Sequence, residues 1–215
     1  MNLNKIKKKT LIFDKIIKKA SITNHNRNKH SRVRVATKTN KVFKIIIKNN
    51  IKPKKILEIG CSTGYLLEGL RRHYNCKAYG VDTSINAIKE GKKLFKQINL
   101  TYGMFEESKL KNSKYDIIIC GFFLFMLPPS KILNLFSNID LSLNPGGHVI
   151  IFDFFNEKNS FKIKDYKHEK NLSVYRWDYK QVFLSLPNYY KTDIVKDYSK
   201  AVNDYVEVSL IEKKF

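Results

Sequence analysis

From residue 55 onward, short apolar runs alternate with amphipathic stretches of helical period, which predicts strands and helices in turn. Ile56 to Ile59 heads a strand over 55–60, and an amphipathic helix follows over 63–74. The pattern continues with a strand over 77–82, a helix over 84–97 and a strand over about 99–104. Tyr115 to Gly121 is apolar almost throughout, as expected of a strand buried on both faces. A helix over 129–139 leads through the turn Asn144-Pro145-Gly146-Gly147 to a fifth strand, His148 to Asp153. Residues 155–177 are polar and irregular, 178–186 reads as a short helix, and 192–198 and 204–213 alternate as two closing strands. Strands and helices in alternation imply a parallel sheet with helices on both faces.

Upstream, residues 2–20 place Ile6, Phe13, Ile17 and Ala20 on one face of a helix with lysines elsewhere. Such a basic amphipathic helix suits either a cap on the domain core or peripheral contact with a membrane surface. A polar loop over 21–32 and a helix over 33–50 complete the chain. The expected organisation is therefore a basic N-terminal helix and loop over 1–32 and one domain over 33–215.

Charge sharpens that division. The chain has 215 residues and a net charge of +22. Residues 1–55 hold 18 Lys or Arg against the single acid Asp14, so the remainder is only mildly basic. Nucleic acid is a possible but not favoured partner, since most of the bases are Lys rather than the Arg forks that read phosphates. No stretch reaches the roughly 18–20 apolar residues that a membrane span needs. Cys61, Cys76 and Cys120 have no metal-ligand spacing, so no metal is expected. They read as reduced thiols, and the cytosol is the expected compartment.

Candidate chemistry gathers at the end of the first strand. Gly60 and Gly64 permit torsions closed to other residues and let a ligand approach the main chain. The helix beyond offers free N–H groups. Glu58 lies between Leu57 and Ile59, an odd place for an acid without a partner. Asp82 ends the second strand, where a carboxylate can accept hydrogen bonds from both ribose hydroxyls. A dinucleotide fingerprint would need three glycines as G-x-G-x-x-G, whereas Ser62 stands at the middle position and Tyr65 and Leu66 follow Gly64.

The run Glu58-x-Gly60-x-Ser62-x-Gly64 resembles motif I of the class I S-adenosylmethionine (SAM) methyltransferases, with Ser62 replacing a glycine. The element order and the Pro-Gly-Gly turn resemble that fold too, while Gly121 to Phe125 and Tyr175 to Phe183 resemble a bacterial Methyltransf_11-like subgroup. The resemblance implies an α/β, Rossmann-like, seven-stranded, mostly parallel sheet with strand seven antiparallel. It also implies SAM as cofactor and a small-molecule or glycan acceptor, methylated on oxygen. An RNA methyltransferase using the basic N-terminal segment and a non-catalytic SAM-binding protein are the alternatives.

Carried across residue by residue, the family's cofactor site falls on Glu58, Gly60, Cys61, Ser62, Gly64, Asp82, Thr83, Phe105, Glu106, Gly121 and Phe122. Glu58 would orient the methionine amine or the loop, and Asp82 the ribose. Thr83 or Ser84 would cap the next helix, and Glu106, with Glu107 as rival, would meet the adenine. Asp153, ending strand five, is the candidate general base, and Tyr175, Trp177, Asp178 and Tyr179 are candidates for the acceptor wall. The competing reading, preferred for these two residues, is that Asp178 caps the 178–186 helix while Tyr179, with Phe183, anchors it to the core.

Overall fold

A computed structural model describes residues 29–155, 162–165, 173–199 and 204–215. The helix expected over 2–20 and most of the loop expected over 21–32 lie outside the described residues. The elements are α1 (Lys29–Lys48), β1 (Lys55–Ile59), α2 (Tyr65–Tyr74), β2 (Lys77–Asp82), α3 (Ile85–Leu94), β3 (Asn99–Tyr102) and β4 (Tyr115–Gly121). Then follow α4 (Pro129–Ser142), β5 (Leu143–Phe154), β6 (Lys162–Asp165), β7 (Ser173–Arg176), α5 (Lys180–Leu184), β8 (Tyr189–Ser199) and β9 (Asp204–Lys213).

Seven strands form one sheet in the order β3-β2-β1-β4-β5-β9-β8. The first five run parallel, and β9 enters antiparallel between β5 and β8. The order reverses between β1 and β4, so a crevice opens at their carboxyl ends. Strand alternation divides the core in two. Ile56, Ile117, Ile119, Ile150 and Leu210 pack under α1, α2 and α3. Leu57, Ile118, Val149, Ile151 and Ile211 pack with α4 and α5. Burial on both faces explains why β4 reads as an apolar run broken only by Asp116 near its start.

Several boundaries move, each for a local reason. α1 begins at Lys29, four residues before the expected start, so the polar stretch does not mark the helix end. It docks through Val42, Phe43, Ile45 and Ile46. Its end is pinned to β8 by the Lys48–Asp193 ion pair at 2.8 Å and a 3.0 Å bond from Asn49 Nδ2 to Asp193. α3 stops at Leu94 rather than 97, because Phe95 turns extended. α4 runs on to Ser142, whose Oγ donates to Asn138 O at 2.8 Å. The expected turn at 144–147 is absorbed into β5 as an irregularity, with Asn144 Nδ2 donating to Asp116 Oδ1 at 2.9 Å. Residues 155–177, expected to be irregular, contribute the antiparallel pair β6–β7. α5 spans only 180–184.

Candidate active site

The chain leaves β1 through a tight loop held from above and below. Gly60 and Gly64 have φ of +73° and +82°, and a Cβ on Gly64 would lie 2.5 Å from Ile98 Cδ1. Ser62 also adopts a left-handed φ of 52°, so serine takes the conformation that a middle glycine would supply. Gly60 N and Cys61 N both donate to Val81 O, at 2.9 and 3.2 Å. The Asp82 carboxylate closes the clamp, accepting from Ser62 N at 2.7 Å and Ser84 N at 2.8 Å. Ser84, not Asp82, caps α3, its Oγ accepting from Ala87 N at 3.3 Å. Thr83 is exposed beside it.

Below the loop, Glu58 is fully buried. Its Oε1 pairs with Lys38 Nζ from α1, while Oε2 receives no hydrogen bond among the described residues. Burial pushes the carboxyl's pKa up, and the Lys38 ammonium offsets only part of that rise. To reach Glu58, Lys38 crosses the face of Gly121, where a Cβ would stand 2.7 Å from Nζ. The residue types at Glu58 and Gly121 were read from the sequence, but Lys38 was not. Nothing in its local pattern separates it from the other lysines of a basic helix.

At the end of β4 the chain turns abruptly. Phe122 has a φ of 65°, an unusual backbone for a bulky residue. Its N–H donates to Phe152 O at 2.6 Å, and its ring packs on Phe125, Phe152 and Phe154 at centroid distances of 5.4–5.6 and 4.8 Å. The turn lays the Phe123 ring against Gly60, whose added Cβ would stand 2.8 Å from it. Phe105 is a core side chain, 1% exposed. Glu106 is half-buried and Glu107 exposed. The Glu106 carboxylate is close enough to β4 to help raise the Cys120 thiol, which burial chiefly elevates. Burial likewise raises the Cys61 thiol and pushes Cys76 up to about 11, so neither is a reactive thiolate.

A second set of side chains gathers at the ends of β5 and β9. Asp153 is 2% exposed, and burial pushes its carboxyl up to about 7 against hydrogen bonds from backbone N–H groups. Phe154 N donates to Oδ1 at 2.8 Å and Leu124 N to Oδ2 at 2.9 Å, so Asp153 also anchors the turn after β4. Asp153, Trp177, Asp178 and Tyr179 line one cleft, together with Lys180, Glu207 and Ser209. Tyr179 reaches the cleft but is buried, its hydroxyl donating to Tyr175 O at 2.6 Å. Asp178 does not give its side chain to the N–H groups of α5; it pairs with Lys180. Glu207 and Ser209 were missed, since in an alternating strand they look like solvent-facing positions. His148 sits at the far end of β5, 3.6 Å from Glu212, with burial pulling its pKa down. Among the described residues no group of three His, Cys, Asp or Glu is placed to hold a metal. No described helix is long and apolar enough to cross a membrane.

Comparison with known proteins falls on this architecture. A family model described as a methyltransferase domain matches residues 27–193. Among curated proteins, carboxy-S-adenosyl-L-methionine synthase of Shewanella sediminis is 28% identical over 110 residues, covering 47% of this chain. The match spans only 44% of that relative's own length. Among solved structures, magnesium protoporphyrin IX methyltransferase from Synechocystis PCC 6803 with bound SAM superposes with a TM-score of 0.66 at 15% identity, covering 86% of this chain and 82% of that one. The N-methyltransferase NodS from Bradyrhizobium japonicum WM9, in complex with S-adenosyl-L-homocysteine, gives 0.65 at 16% identity, covering 84% and 87%. At these identities the two structures speak for the fold.

Proposed function

Because the chain belongs to the methyltransferase domain family, we propose that it carries a methyl group from SAM to a hydroxyl of a small molecule or glycan. The observation that carries the cofactor reading is the clamped loop above a buried acid. Asp82 holds Ser62 and Ser84 by their N–H groups, and Glu58 keeps a buried Oε2 without a hydrogen bond among the described residues. A buried carboxylate oxygen in that state suits an ammonium group, such as the one on the methionine end of SAM. Asp82 retains lone pairs for a ribose diol, and Glu106 is the acid for the adenine edge. The same donor set suits NAD poorly, because Ser62, Tyr65 and Leu66 replace the spacing a pyrophosphate needs.

SAM supplies a methyl group on a sulfonium, an electrophile that needs an aligned nucleophile and a dry pocket. The chain's own contribution is positional. Phe122, Phe125 and Phe154 exclude water at the end of β4. Asp153, poised near neutral pH, takes the proton of an acceptor hydroxyl. In this reading the basic N-terminal segment takes no part in methyl transfer, α1 already beginning at Lys29, and the protein works in the cytosol.

Titration calorimetry with SAM, S-adenosylhomocysteine and NAD tests the cofactor reading. Binding of either sulfur nucleoside supports it, and preference for NAD overturns it. Filter binding to tRNA against salt tests the RNA alternative. A steep salt dependence abolished by deleting residues 1–28 would favour RNA over a small acceptor.

A further inference from the structure

The cleft at the ends of β5 and β9 holds a charge arrangement that the methyl-transfer reading does not use. Lys180 is 7% exposed and lies between two acids, paired with Asp178 and 3.0 Å from Glu207 Oε1. Ser209 Oγ donates to the same Oε1. Glu207 is itself 7% exposed, and its Oε2 is buried without a hydrogen bond among the described residues. Lys196 Nζ lies 3.8 Å from Oε2, beyond hydrogen-bonding reach. Leaving such an oxygen unmet is costly, and a ligand that donates to it would recover that cost. Glu207 stands in the wall of the cleft with Trp177 and Asp153, so the missing donor would enter there.

We propose that Glu207, Lys180 and Trp177 form the subsite that binds a neutral polyhydroxylated acceptor, a saccharide hydroxyl donating to Glu207 Oε2 while a Lys180 N–H donates back to it. This deepens the methyltransferase reading and rests on it. Charge excludes the rival chemistries. A cationic amine would satisfy Glu207 but would meet the Lys180 and Lys196 ammonium groups, and the Arg176 guanidinium lies 4.3 Å over the Phe154 ring. An anion would meet Glu207, Asp178 and Asp153. A hydroxyl is both donor and acceptor, so it fits between an acid and an ammonium without unbalanced charge. Trp177, half-buried at the edge, offers a flat apolar face for a sugar ring. One strand, β5, lies between β9 and β4 in the sheet, so the two strands run about 10 Å apart.

Trp177 is the only tryptophan in the chain, so its fluorescence reports the cleft directly. The protein saturated with S-adenosylhomocysteine is titrated with methyl α-glucopyranoside, glucosamine and glucuronate. A saturable change with the neutral glycoside, at least tenfold tighter than with either charged sugar, is expected. Glu207→Gln should weaken the glycoside about tenfold and leave the nucleoside affinity unchanged. Lys180→Met should invert the preference toward glucosamine, an outcome a merely structural lysine would not produce. It also decides the matter if Glu207→Gln fails to fold. Tighter binding of glucosamine by the unaltered protein, or no saturation with any of the three, overturns the subsite. Failure to bind S-adenosylhomocysteine at all would instead overturn the methyltransferase reading.

Discussion

Two buried glutamates, one in each half of the sheet, meet lysines in opposite ways. Glu58 under the β1 loop is fully buried and is offset by Lys38, which reaches it across Gly121 from a different element. Glu207 on β9 shares Lys180 with Asp178 and has Lys196 at a longer distance. The first arrangement is a single pair in which a lost partner leaves a naked charge. The second is a shared network, so removal of one cation leaves others near. Burying a charge is costly in both places, and the halves differ in how many groups share that cost.

Removing Lys38 should therefore produce the largest effect. Lys38→Met leaves Glu58 without its cation, and a stability loss of about 3–5 kcal/mol is expected at pH 8. Glu58 already has a raised pKa, so the folded state holds its proton more tightly than the unfolded one. Stability from such a group is fully present below the unfolded value and is lost as pH rises through the folded one. The variant's deficit should grow from pH 5 to pH 8 in urea melts. Glu58→Gln on the same background should restore much of it. Lys180→Met should cost less than half as much. An equal cost would break the comparison.

The next effect belongs to Asp153 and is read in turnover. Asp153→Asn should lower the rate at least about 100-fold, the low end for a lost general base. S-adenosylhomocysteine affinity should stay within about threefold, which corresponds to less than 1 kcal/mol. Burial holds the native carboxyl at about 7, so unaltered turnover should rise with pH through neutrality as the base form appears. Stability should fall over the same window, since the folded state binds the proton more tightly than the unfolded one. Both slopes should flatten in the variant. A full rate in Asp153→Asn would leave Asp153 as the anchor of Leu124 and Phe154 alone.

The two halves also differ in how far the sequence reveals them. The half proposed to hold the cofactor is local. Glycines at fixed spacing, an acid closing β2 and a serine cap lie within 24 residues of one another, and each residue type is dictated by its own backbone position. β1 and β4 were equally plain, because burial on both faces leaves apolar runs that need no partner to be recognised. The half proposed to take the acceptor is assembled by antiparallel pairing of β9 with β5, which sets Glu207 opposite Asp153 from 54 residues away. Alternation alone cannot tell a polar residue facing water from one facing a cleft. β6–β7 escaped notice for a related reason. Its strands have four residues each and lie apart from the main sheet, so no core face imposes a period on them. Lys38 was invisible because its partner is in another element, and Phe122 because nothing in a phenylalanine announces a left-handed backbone.

Asp82 tests whether the cofactor half is as local as its pattern suggests. Asp82→Ala should weaken S-adenosylhomocysteine binding by about 1–3 kcal/mol through lost charge-assisted bonds. It should also loosen the loop, because Ser62 N and Ser84 N lose their acceptor. Hydrogen exchange at those two amides separates the roles. Faster exchange in the unliganded variant marks the clamp, whereas weakened binding with unchanged exchange marks the ribose contact alone.

The smallest effect is expected at the one position where the loop departs from the glycine pattern. Ser62 has a φ of 52°, a conformation that costs a side-chain-bearing residue about 1–2 kcal/mol. Glycine would remove that strain but would give the unfolded chain more freedom, an opposing cost of about 0.5–1 kcal/mol. The two nearly cancel, so Ser62→Gly should shift unfolding by less than about 1 kcal/mol in either direction. Ser62→Val carries the strain of a β-branched side chain without the gain, and should destabilise by about 1–3 kcal/mol. The pair of variants therefore separates backbone from side chain. If both are neutral, the Asp82 bond to Ser62 N does not impose the left-handed turn. If glycine stabilises by more than about 2 kcal/mol, the serine is retained for its hydroxyl rather than tolerated for its size.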